Sequence, residues 1–184
     1  MKYNKIEGLD KNISKLIMGN DNQTNYDEAS KLWDYWIEVG GNAFDNAHIY
    51  GNGLMEKLLG KWQRSRNNLK NIILIAKGAH TPNCNPDSLS SQLEESLERL
   101  QSNNVDMYIM HRDNKEIPVG EFIDVLNDGK SQNKFRIFGA SNWSLERFIE
   151  ANVWAKKNNK SGFSILNNNL SLCKMIKPLW DGCV

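Results

Sequence analysis

Nowhere in its 184 residues does the chain hold an apolar run near the roughly 18 residues that a membrane span requires. The amino-terminal stretch MKYNKIEGLDKNISKLIMG likewise has no long apolar h-region of the kind that marks a secretory leader. A soluble, cytoplasmic protein is the expectation. Cysteine is scarce: Cys84, Cys173 and Cys183 are odd in number and lack metal-ligand spacing, which reads as reduced thiols rather than a disulfide framework. Charge of one sign is not in excess. Lys and Arg number 23 against 22 Asp and Glu, without a block of like charges, so no strong field draws nucleic acid or a membrane surface. No low-complexity tract separates one part of the chain from another, and a single domain over residues 1–184 is expected. Asn, by contrast, is abundant. It gathers in loops and at element ends, where its amide bonds locally to the backbone and tolerates left-handed conformations.

What the chain does have is an alternation of short apolar runs and amphipathic stretches, the pattern of repeated βα units. After a short amino-terminal hairpin, Lys15 to Met18 reads as the first strand. Tyr26 to Val39 then carries Ala29, Leu32, Trp33, Trp36 and Ile37 at helical spacing, with Gly40-Gly41 as the stop. Ala43-Phe44 marks the next strand, and Leu54 to Arg64 a helix after the Gly51-Asn52-Gly53 turn. Ile72 to Lys77 follows as a strand. Asp87 to Leu100 is a helix with Leu89, Leu93, Leu97 and Leu100 on one face and Glu94, Glu95, Glu98 and Arg99 as a solvated one. Strand Asp106 to Met110, helix Val119 to Gly129, strand Phe135 to Ala140, helix Leu145 to Lys157 and a strand near Phe163 to Asn167 complete the series. Each unit takes roughly 30 residues, and a full (β/α)8 barrel about 250. The expected fold is therefore α/β, an incomplete (β/α)8 TIM-type barrel of about the first six βα units. An open doubly wound sheet suits the length, but its Gly-rich phosphate turn is absent: the first βα turn is Gly19-Asn20-Asp21-Asn22.

Polar groups recur at the strand ends: Asp45, Lys77, His111 and Ser141-Asn142. In a parallel barrel such positions converge on one mouth. Tyr50 follows Asp45 closely. Reducing a carbonyl requires a proton on oxygen as hydride reaches carbon, and a phenol serves at neutral pH when a lysine cation favours its phenolate. A carboxylate beside that lysine keeps it charged, and a histidine completes the cradle around the reacting oxygen. Taken singly, each residue has an ordinary reading: a snorkelling Lys77, a turn-capping Asp45, a packed Tyr50, a core His111. Their recurrence at consecutive strand ends favours a site. A metal centre built from His48, His80, His111, Asp45 and Asp113 is disfavoured, since no pair has ligand spacing on one element. HRDNKEIP begins like a kinase catalytic loop, but Pro118 stands where that loop needs Asn. For Trp143 two readings stay open, a side chain facing the cleft or an ordinary rim aromatic.

Four blocks carry a family resemblance. GGNAFDNAHIYGNGLMEKLLGKW, IILIAKG, SLERLQSNNVDMYIMHRDN and GASNW resemble, in order and spacing, the motifs of the aldo-keto reductases. The resemblance implies Tyr50 as general acid, Lys77 and Asp45 as its tuning pair, and His111 as the group that orients the substrate oxygen. It also implies that Ser141 and Asn142 hold the nicotinamide carboxamide. Asn167 stands where the family usually has a Gln sharing that task, and Asp21 lies near the nicotinamide end of the first βα loop. The implied cofactor is NADPH, with NADH as the alternative, and the implied partner a small-molecule aldehyde or ketone, without metal, nucleic acid or membrane. Asn46 departs from the family's Thr or Ser. The larger departure is the family's carboxyl-terminal quarter, which grips the pyrophosphate and adenosine phosphate and has no counterpart here. A truncated member or fragment is thus expected, inactive and weak in NADPH binding on its own, and prone to self-association through open barrel edges. The alternative is a catalytically silent relative acting as an interaction or cofactor-sensing module.

Overall fold

The computed structural model describes residues 1–180 and 182–184. Six strands form one parallel sheet in sequence order: β3 (Met18–Gly19), β4 (Ala43–Asp45), β5 (Ile73–Gly78), β6 (Val105–Met110), β7 (Phe135–Ser141) and β8 (Ile165–Asn167). They follow a separate antiparallel hairpin of β1 (Tyr3–Asn4) and β2 (Ile13–Ser14). Five helices connect or follow the sheet strands: α1 (Tyr26–Glu38), α2 (Leu54–Arg66), α3 (Pro86–Arg99), α4 (Val119–Ser131) and α5 (Leu145–Lys157). The sheet curls into an open barrel wall with the helices outside, so the expected fold class is found.

Local chemistry sets the helix ends. Asn25 accepts from the backbone N–H groups of Asp27 and Glu28 at 2.9 and 3.1 Å, Asn85 from Ser88 at 2.8 Å, and Ser144 from Arg147 at 3.2 Å. These side chains satisfy donors that the first helical turn leaves without partners. At the other ends the chain turns through a left-handed residue: Gly40, Asn67, Gln101, Asn133 and Asn159. Three asparagines serve there.

Alternation along the strands produces two apolar layers. Ala43, Ile73, Ile75, Met107, Ile109 and Ile137 point into the curl, where Leu9 and Ile13 of the hairpin region plug the end remote from the candidate residues. Lys11 reinforces that plug, its ammonium 2.8 Å from Asp106. Phe44, Leu74, Ala76, Tyr108, Met110, Phe138 and Ala140 face outward, meeting Trp33, Trp62, Leu89, Leu93, Leu97, Phe122 and Ile123 from the helices. Burying each large apolar side chain contributes roughly 1.5–3 kcal/mol. The outer layer is therefore the main store of stability.

Three expectations need correction. The first barrel strand is Met18–Gly19 rather than Lys15 to Met18, because Lys15 still belongs to the hairpin, its N–H bonding the Lys2 carbonyl at 2.9 Å. Of the apolar residues named on α1 only Ala29 and Trp33 are buried, with Trp36 packed partly against the core, while Leu32 and Ile37 stay 41% and 36% exposed. α1 covers the edge strand and has a helical neighbour on one side only, so half of its apolar stripe meets no partner. Arg99 is the third: it leaves the solvated face of α3 and reaches inward. Its guanidinium lies 2.7 Å from Glu95 and 3.3 Å from the wholly buried Glu56, and donates to the His48 carbonyl at 3.1 Å. Burial raises the Glu56 pKa, with Ser96 and Arg99 opposing.

Candidate active site

Strand phase decides which side chains reach the inner mouth. Asp45, Ser141 and Asn167 each end a strand, Lys77 is the last residue but one of β5, and all four share the inward phase of the apolar residues below them, such as Ile75 and Ile165. His111 follows β6, its backbone N–H continuing the ladder to the Gly78 carbonyl at 2.7 Å. Gly78 packs so closely on the Tyr108 hydroxyl that an added Cβ would approach it to 2.0 Å. That hydroxyl donates to the Leu89 carbonyl at 2.7 Å and ties the strand end to α3.

Tyr50 reaches the mouth by a different device. It opens a short turn, Tyr50–Gly53, in which Gly51, Asn52 and Gly53 all take left-handed dihedrals. Two glycines and an asparagine are the residues that adopt this conformation at least cost. Arg99 braces the turn from behind, its guanidinium filling the space that a Cβ at Gly53 would need.

All eight residues named from the sequence, Asp21, Asp45, Tyr50, Lys77, His111, Ser141, Asn142 and Asn167, line one cleft of about 390 Å³. The Lys77 ammonium, almost wholly buried, donates to Asp45 Oδ2 at 2.8 Å and sits 5.2 Å from the centre of the Tyr50 ring. Burial by itself would lower the Lys77 pKa, but the Asp45 carboxylate and then Tyr50 outweigh it and the net direction is up. Lys77 is thus held as a cation. The His111 ring meets Tyr50 edge-on at 5.6 Å, and burial followed by Lys77, Arg112 and His80 pushes its pKa down to about 2. It is a neutral imidazole at physiological pH, and its buried Nδ1 has no partner among the described residues.

A pH dependence of stability follows from that displacement. The folded value lies below the ordinary 6.5, so protons bind the unfolded chain first. Stability from His111 is complete above about pH 6.5 and is lost as pH falls towards the folded value, at up to about 1.4 kcal/mol per pH unit. Urea unfolding between roughly pH 7.5 and 4.5 is expected to show a steeper decline for the native chain than for His111→Gln. Identical slopes would mean that His111 is not kept neutral.

At the opposite wall, Ser141 Oγ donates to the Asn167 carbonyl at 2.8 Å, and Asn142 Nδ2 donates to Ser141 Oγ at 3.0 Å. Asn142 holds a left-handed backbone, φ 57°, which turns the chain after β7. Trp143 consequently neither faces the cleft nor lies at its rim. It is fully buried outside the sheet, 5.1 Å from the Phe163 ring and 6.3 Å from Phe122.

Six further residues line the cleft, Ile49, His80, Arg112, Asn168, Asn169 and Trp180, and of these only His80 was named from the sequence, in the disfavoured metal centre. His80 packs edge-on against His111 at 4.9 Å, Arg112 follows His111, and Trp180 comes from the carboxyl-terminal segment, its ring 5.7 Å from the Arg112 guanidinium. Position after a strand end was a usable signal for Arg112 and His80. Nothing local pointed to Trp180. No helix of the described residues is long and apolar enough to cross a membrane.

The arrangement sets a phenol beside a fixed cation and a neutral imidazole, next to a row of hydroxyl and amide groups. The model of the Aldo/keto reductase family matches residues 15–179. The chain is 30% identical over 166 residues to aldo-keto reductase AFTS1 of Alternaria alternata, covering 73% of this chain and 45% of that protein. It is 25% identical to the uncharacterized oxidoreductase YrpG of Bacillus subtilis, covering 94% of this chain and 59% of YrpG. The crystal structure of the thermostable aldo-keto reductase Tm1743 superposes with a TM-score of 0.74 at 27% identity, covering 84% of this chain and 58% of that one. The chain thus spans about half the length of these relatives.

Proposed function

Since this chain belongs to the aldo/keto reductase family, we propose that its cleft is the reaction centre of an NADPH-dependent reductase of small aldehydes or ketones. The observation that carries this reading is the cluster of Lys77, Asp45, Tyr50 and His111 at one mouth, with Lys77 held as a cation between the carboxylate and the phenol. A nicotinamide cofactor, when bound, supplies hydride to the carbonyl carbon. The chain's part is to deliver the proton and to hold the reactants.

Tyr50 gives its phenolic proton to the carbonyl oxygen as the C–H bond forms and recovers one from water afterwards. The Lys77 cation stabilises the phenolate left behind, and Asp45 keeps that cation in place at 2.8 Å. His111, neutral and orphaned at Nδ1, orients the substrate oxygen by hydrogen bonding without competing as an acid. Ser141, Asn142 and Asn167 fit a carboxamide because they offer hydroxyl and amide groups in one row, linked at 2.8–3.3 Å. Asp21 closes the cleft on the side of the first strand. NADH is the alternative donor. The exposed edges β3 and β8 make self-association part of the same proposal.

Reduced nicotinamide mononucleotide, which carries only the end of the cofactor that these residues would hold, tests the seat. In a two-dimensional NMR titration the expected shifts fall on Ser141, Asn142 and the Asn142 and Asn167 side-chain amides. Shifts confined elsewhere, or none at millimolar concentration, would overturn the assignment.

A further inference from the structure

Of the two lysine and arginine cations that line the cleft, one is paired and the other has no carboxylate partner among the described residues. Lys77 is matched by Asp45. Asp113, the acid next in sequence to Arg112, is taken by Arg147 at 3.3 Å, and Arg147 is fixed further by the Asn114 and Ile117 carbonyls. Arg112 itself has no carboxylate partner among the described residues. Its recorded hydrogen bond is from Nη1 to the His111 carbonyl at 2.8 Å, which leaves most of its five N–H donors unused. Asp21 also lines the cleft, but it follows β3 while Arg112 follows β6. Three strand spacings separate those two strands, roughly 14 Å, too far for an ion pair.

The guanidinium is nonetheless held in place. Cys84 Sγ donates to the Arg112 carbonyl at 3.2 Å, and burial pushes that thiol up to about 12, so it remains a donor. The Trp180 ring lies against the guanidinium at 5.7 Å. An arginine stacked on an aromatic face presents its planar N–H edge to a partner with little loss of freedom on binding. Here the guanidinium is half-buried, and burial opposes its charge, with Tyr50 among the groups that support it. A cation kept partly dry and unmatched is stabilised by an anion that arrives with a ligand.

We propose that Arg112 receives an oxyanion carried by the substrate, so that the preferred carbonyl compounds bear a carboxylate a few bonds from the aldehyde or ketone. The inference rests on the cleft being the carbonyl site. Arg112 adjoins His111 in sequence and Tyr50 in space, which places the charged group close to the reacting carbonyl. A phosphate on the substrate shares the chemistry, since the arginine fork suits both groups.

Ligand-observed NMR on the full chain, with 4-carboxybenzaldehyde, its methyl ester and 4-formylphenyl phosphate, tests the idea. The acid is expected to bind at least about tenfold more tightly than the ester, as a charge-assisted bidentate contact gives. The acid-to-phosphate ratio tells which oxyanion the subsite takes. In Arg112→Gln the preference for acid over ester is expected to vanish, and because it is a ratio within one protein it is insensitive to a change in fold stability. Arg112→Lys, which keeps the charge without the fork, is expected to retain part of it. Equal binding of acid and ester by the native chain, or a preference that survives Arg112→Gln, overturns the anion subsite and leaves the carbonyl site standing. If none of the aldehydes binds, the reading of the cleft as a carbonyl site falls and this proposal falls with it.

Discussion

Replacing Tyr50 by phenylalanine is expected to slow NADPH-dependent aldehyde reduction by about 10²–10⁴-fold while leaving nicotinamide binding nearly unchanged. The substitution deletes one hydroxyl and keeps the ring, so the edge-on contact with His111 at 5.6 Å and the cation beside the ring are retained. Only the proton donor is lost. The rate is best measured in a chimera in which the carboxyl-terminal units of a longer relative such as YrpG follow Asn167, because the chain covers 59% of that protein. A fall in kcat with an unchanged dissociation constant for reduced nicotinamide identifies Tyr50 as the acid. Near-full turnover in the variant would show that another group protonates the oxygen.

Lys77→Met is expected to damage stability and chemistry together. The lysine side chain is 4% exposed and its partner Asp45 26% exposed, so deleting the ammonium strands a carboxylate that water reaches only in part. Breaking a fully buried pair costs about 3–5 kcal/mol; screening at Asp45 reduces this to about 2 kcal/mol. Because the folded Lys77 pKa is raised above 10.5, its contribution is complete below that value and is lost as pH rises through the folded one. The stability difference between native chain and variant should therefore hold at neutral pH and shrink in strong alkali. Adding Asp45→Asn is expected to recover most of the stability, since neither charge then remains alone, but none of the activity. Urea unfolding and turnover of the single and double variants separate the two effects. A double variant that regained activity would remove the cation from the mechanism.

Much of this site was legible before any coordinates. Asp45, Lys77, His111 and Ser141 lie at the ends of apolar runs, and parallel strands joined by helices must bring such ends to one side of the sheet. Leu89, Leu93, Leu97 and Leu100 keep helical spacing and are all buried as that spacing implies. Leu32 and Ile37 keep it too and stay exposed, because spacing names a face of α1 without naming what covers it. Trp143 was misread for a related reason: the left-handed turn at Asn142, not the run of residues, sends the indole behind the sheet.

By itself, then, the sequence determined the alternation of elements, a local consequence of side-chain periodicity, and, through the helical connections between strands, six parallel strands with Asp45, Lys77, His111 and Ser141 at one mouth. Tertiary structure alone decided that Arg99 would brace the turn bearing Tyr50 and that His111 would be dry enough to stay neutral. It also decided that Arg147 would claim Asp113 and that Arg112 would face the cleft without a carboxylate partner among the described residues. Those outcomes depend on distances between groups tens of residues apart. Burial and charge pairing are properties of such distances, which no local pattern in the chain encodes.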